Sequence, residues 1–74
     1  MNTERLLNIV MMDMTMDKMK IEDDIERTIN DNNISIEEKT MKMKSLIHRL
    51  STTENSIATF SNMLNNNNTK EKEN

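Results

Sequence analysis

The sequence contains no glycine, proline, cysteine, tryptophan or tyrosine, and Phe60 is its single aromatic residue. Sheets depend on glycine and proline at their turns and on aromatic or β-branched residues in their strands, so a sheet protein is not expected. Without cysteine there is neither a disulfide framework nor a thiolate metal site, and His48, the one histidine, cannot supply a histidine cluster. We therefore predict no metal and no cofactor.

The composition that remains favours helices. Methionine, leucine, isoleucine, glutamate and lysine are helix formers, and 34% hydrophobic with 31% charged residues suits a coiled coil. A chain of 74 residues buries a limited core and usually needs disulfides, a metal or oligomerisation. With the first two absent, oligomerisation is the expected source of stability.

Charge and hydropathy argue against two classes of partner. The formal net charge is −3, and no lysine or arginine cluster is interleaved with aromatics, so direct nucleic-acid binding is not expected. The longest apolar run, 6–12, is interrupted at Asn8 and ended by Asp13, and it is far shorter than the roughly 20 residues of a spanning helix, so membrane insertion is not expected. The N-terminus lacks a signal-peptide pattern, and we expect a cytoplasmic protein.

Local signals divide the chain into two helices. Asn2 or Thr3 can cap the first helix, which we place at about residues 3–29. The Asn/Asp-rich segment 30–33 predicts a turn, because these side chains bond their own backbone and tolerate left-handed geometry. After a turn at 30–35, a capping box from Ser35 to Glu38 starts a second helix at about 36–64. Residues 65–74 have nothing to bury and are expected to form a disordered tail.

A short linker between helices of similar length predicts an antiparallel hairpin; the alternative is one long bent helix that pairs with a second chain. Acidic residues at 22–26 and lysines at 39–44 would then lie side by side next to the turn. Such exposed pairs specify orientation more than stability. The predicted fold class is thus all-α, an antiparallel two-helix coiled-coil hairpin that dimerises into a four-helix bundle.

Heptad-spaced apolar residues define the seam between the two helices. Lys18 and Lys39 interrupt it, and Thr53 is a weak position in the second helix. The predicted hairpin core comprises Leu7, Val10, Met14, Ile21, Ile25, Ile36, Met43, Leu46, Leu50, Ile57 and Leu64.

Helix 1 carries a second apolar row. Because successive residues of a helix are rotated by about 100°, this row lies on the side opposite the seam. With two residues at the open end of helix 2, this row makes up the predicted partner or oligomer interface: Ile9, Met12, Met16, Met19, Phe60 and Met63. Its methionines suit either a homo-oligomer interface or an adaptable groove for a different protein. Soft-metal binding is not expected, because no cysteine or histidine accompanies them.

No catalytic constellation is present: the chain lacks a glycine-rich phosphate loop and a nucleophile with a base. The acidic run at 22–26 has no glycine for a calcium loop and is expected to be a solvated face. Abundant Asn, Met, Ile and Lys are typical of AT-rich genomes, as in many phages, large DNA viruses and low-GC bacteria.

We therefore expect a non-enzymatic protein–protein interaction module, a phage or viral accessory protein of the host cytoplasm. It would form a dimer or tetramer with itself and dock on or inhibit a larger protein. Two alternatives are a structural subunit of a virion or other assembly, and a regulator that acts on transcription through a partner.

Overall fold

A computed structural model describes residues 3–73, with side chains described for residues 3–66. Helix α1 spans Thr3–Asn30 and helix α2 spans Ile36–Glu73. The two helices pack against each other as an elongated hairpin with extents of 59 × 21 × 14 Å, and residues 3–73 contain no strand. The prediction of an all-helical fold with two packed helices is confirmed. Asn2, one of the two predicted caps of α1, lies outside the described residues.

The connection between the helices is held by side chain-to-backbone and backbone hydrogen bonds. The backbone N–H of Asn33 donates to Asp31 Oδ1 at 2.9 Å, and the N–H of Asp31 donates to the Thr28 carbonyl at 3.3 Å. Asp31 therefore supplies the local backbone bond expected of a turn-forming residue. No described residue has a positive φ, so the turn forms without left-handed backbone geometry.

Helix α2 begins with the predicted serine cap. Ser35 Oγ accepts a hydrogen bond from the Glu38 backbone N–H at 3.1 Å, which satisfies one of the free amides of the first turn. Lys39 Nζ donates to the Ile29 carbonyl at 2.9 Å, across the turn. Carbonyls in the last turn of a helix lack intrahelical partners. Lys39 therefore caps the C-terminal end of α1 from its position in the seam.

Helix α2 ends later than the sequence predicts. It continues past Leu64 through the four asparagines to Glu73, where a disordered tail was expected. Each asparagine costs at most about 0.7 kcal/mol of helix propensity relative to alanine, and no glycine or proline is present to end the helix. The side chains of residues 67–74 lie outside those described, as does the backbone of Asn74.

The seam between the helices follows the predicted spacing but buries little. Among the described side chains, only Ile21 and Leu46 are buried, with 3% and 9% of their surface exposed. The other predicted core residues are half-buried, with one exception: Leu7, Val10, Met14, Ile25, Met43, Leu50, Ile57 and Leu64. A single neighbouring helix can cover only one stripe of its partner, which leaves the sides of the seam open to water.

Ile36 is the exception, and its placement in the hairpin core is wrong. Its side chain is 82% exposed. Because α1 ends at Asn30 and its last turn is bonded to Lys39, no turn of α1 extends far enough to cover Ile36. The heptad spacing of Ile36 is correct, but the partner helix is too short at this end.

Charged groups beside the turn do not pair as predicted. Arg27 Nη2 donates to Asp23 Oδ2 and to Asp24 Oδ1, each at 2.9 Å, so these carboxylates are bound within their own helix. An ion pair does join the helices farther from the turn, where Lys18 Nζ lies 3.6 Å from Glu54 Oε2. The lysine that interrupts the seam of α1 thus has a partner on α2.

Candidate protein-interaction surface

The second apolar row of α1 is exposed along its whole length. Ile9, Met12, Met16 and Met19, here called the methionine face, have 46%, 64%, 53% and 62% of their surface exposed. Successive residues turn by about 100°, which places this row on the side of α1 opposite the seam. Helix α2 of the same chain therefore cannot cover it.

Opposite charges stand at the two ends of the methionine face. Arg5 precedes it and Asp23 follows it, each at the next heptad-type step along the same side of α1. Both side chains are exposed, and Asp23 also accepts the hydrogen bond from Arg27. The face is thus an apolar strip with a cation at its N-terminal end and an anion at its C-terminal end.

Phe60 and Met63 belong to a different surface. Phe60 is half-buried, whereas Met63 is 57% exposed, and both line a shallow cleft between the helices beside Met14. The rest of the described lining comes from small polar residues of α2, and none of the methionine face contributes. The structure therefore divides the six residues of the predicted interface between the back of α1 and the open groove.

Several exposed apolar side chains belong to neither the predicted hairpin core nor the predicted interface. Met41 is 72% exposed and Ile47 is 53% exposed on α2, while Leu6 and Ile29 are 48% and 55% exposed on α1. In the sequence, each of them either neighbours apolar residues of the seam or is an isolated apolar residue in a polar segment. Only the exposed fraction, which depends on the position of the partner helix, separates them from core residues.

Within residues 3–66, no group of three or more histidine, aspartate or glutamate side chains is placed to hold a metal ion. His48 is exposed, and two carboxylates of the acidic run, those of Asp23 and Asp24, are bound to Arg27. The one kind of feature that stands out is apolar surface in contact with water.

The chain matches no protein-family model, no curated protein and no solved structure. Neither helix contains, in its described part, an apolar stretch of the length needed to cross a membrane.

Proposed function

We propose that this protein is a non-enzymatic protein–protein interaction module that associates with itself and docks on a larger protein. The observation that carries the proposal is the methionine face, four large apolar side chains that are 46–64% exposed on the back of α1. Full burial of one such side chain contributes about 1.5–3 kcal/mol, so covering the row is a substantial driving force.

The total exposed surface supports the same proposal. The chain exposes 6181 Å², whereas a compact globular protein of its 8.7 kDa mass exposes about 4,700 Å². The excess accompanies an elongated hairpin in which only two of the described side chains are buried. Association would supply the core that the hairpin lacks.

Methionine side chains suit a module with more than one partner. Their unbranched thioethers repack around surfaces of different shape, so one face can bind another copy and, in exchange, a larger protein. This adaptability, together with an amino-acid composition typical of AT-rich genomes, supports the role of a phage or viral accessory protein.

A structural subunit of a larger assembly is the second candidate. Ile36, Met41 and Ile47 expose 82%, 72% and 53% of their surface on α2, away from the methionine face. A subunit that contacts several neighbours at once would cover these positions as well.

The proposal predicts that Met12→Glu/Met16→Glu abolishes self-association while most helix content remains. Both positions are exposed within the hairpin, so the charges act on a contact between chains and leave the seam intact. Thermal unfolding followed by circular dichroism at several protein concentrations checks this, because the midpoint of an oligomer rises with concentration.

The control is Met41→Glu, which introduces one glutamate at an exposed methionine of α2, away from the methionine face. It should keep the concentration dependence of the wild type. A wild-type midpoint that does not vary with concentration would count against the proposal, as would equal effects of Met41→Glu and the double variant.

A further inference from the structure

We propose that the methionine face pairs with the same face of a second copy, with the two α1 helices antiparallel about a two-fold axis that crosses this face between Met12 and Met16. This inference rests on the proposed function and specifies the partner and its register. The order of residues along α1 indicates that the molecule covering the methionine face is a second copy of the chain.

The row has the same spacing from either end, with apolar residues in the middle and opposite charges at the two ends. Its heptad-type positions are Arg5, Ile9, Met12, Met16, Met19 and Asp23, spaced in alternating steps of four and three residues. Met14 lies midway between the first and the last of them. An axis that crosses the methionine face at this level, between Met12 and Met16, therefore brings Met12 opposite Met16 of the second copy and Ile9 opposite Met19 of the second copy.

Charge then fixes the orientation. In the antiparallel arrangement, Arg5 of each chain faces Asp23 of the other, which gives two opposite-charge pairs at the ends of an apolar strip. A parallel arrangement in register would place Arg5 against Arg5 and Asp23 against Asp23. Like charges face each other unfavourably, so the sequence of this row favours the antiparallel dimer.

The shape of the dimer follows from the positions of the two apolar rows. Because the seam and the methionine face lie on opposite sides of α1, the four helices would form a flat layer in the order α2, α1, α1, α2. The sequence predicts dimerisation into a four-helix bundle, and this inference specifies a flat arrangement of its four helices. The two α1 helices would lie in the middle, each covered on both sides.

Charge exchange at the ends of the row tests the register. The variants are Arg5→Glu, Asp23→Lys and the combination of both, with the dimer dissociation constant measured by sedimentation equilibrium. Within one chain these two positions lie about 27 Å apart along α1, so they cannot contact each other. Any coupling between them must act between chains.

Each single variant should raise the dissociation constant by about 2- to 30-fold, because two end pairs per dimer become like-charged. The combined variant should return to the wild-type value, since both pairs are restored with reversed sign. Glu22→Lys is the matched control: it makes the same charge change one residue earlier, beside the face, and should leave the dissociation constant near that of the wild type.

The outcomes separate this inference from the proposed function. A combined variant as weak as the singles, or singles equal to the wild type, would overturn the antiparallel register. If dimerisation were lost in Met12→Glu/Met16→Glu at the same time, the interaction module would stand with a different pairing or a different partner on the face. A wild-type chain that stays monomeric would overturn both.

Discussion

At the scale of single residues, Ile21 and Leu46 are the two described side chains that the hairpin covers almost completely. Every other apolar residue of the seam keeps part of its surface in water. Because free energy from burial follows the apolar area removed from water, these two positions should dominate the stability of the hairpin itself.

Leu46→Ala should lower the free energy of unfolding by about 2–5 kcal/mol, since it leaves a cavity that neighbouring side chains fill incompletely. Urea unfolding followed by circular dichroism checks this. Ile47→Ala, at the adjacent and 53% exposed position, is the control and should change stability much less. Equal losses at the two positions would contradict the placement of the seam.

Residue type alone did not determine which charged groups would pair. Lys18 looks like an interruption of the seam in the sequence, yet its ammonium group reaches Glu54 on α2. Asp23 and Asp24 looked available to lysines across the turn, but Arg27 lies within one turn of the same helix and binds both. The sequence shows which charged residues lie within one turn of each other on a helix. Whether a charged group pairs within its own helix or with the other helix depends on the distance that its side chain can span.

At the scale of the helices, boundaries with a specific chemical signal were predictable. The capping serine placed the start of α2, and its hydrogen bond to Glu38 is present. The end of α2 had only a run of asparagines as its signal, and these residues weaken a helix without breaking it. The exposure of Ile36 was not predictable from spacing, because it depends on where α1 ends.

Ser35→Ala should destabilise the hairpin by about 1 kcal/mol, because the Glu38 amide loses its side-chain acceptor at the start of α2. Thermal or urea unfolding at a fixed protein concentration measures the loss. Ser51→Ala, at an exposed position inside α2, should be neutral or slightly stabilising, since alanine is the better helix former. A larger loss at Ser51 than at Ser35 would be inconsistent with the cap.

At the scale of the whole molecule, periodicity predicted the two-helix architecture and both apolar rows of α1. It did not predict how little the hairpin would bury, nor that Phe60 and Met63 would line a groove separate from the methionine face. Those properties depend on the distance and rotation between packed helices. Which molecule covers the methionine face is decided when chains associate. The sequence of one chain shows only the spacing and charges that a partner surface must match.

The central claim is that one hairpin is incomplete and is completed by a second copy. Sedimentation equilibrium of the wild-type protein over a wide concentration range tests it most directly. The account predicts a mass that rises with concentration to twice the 8.7 kDa of a single chain. A mass of one chain at every concentration, in a protein that remains helical and unfolds cooperatively, would contradict it.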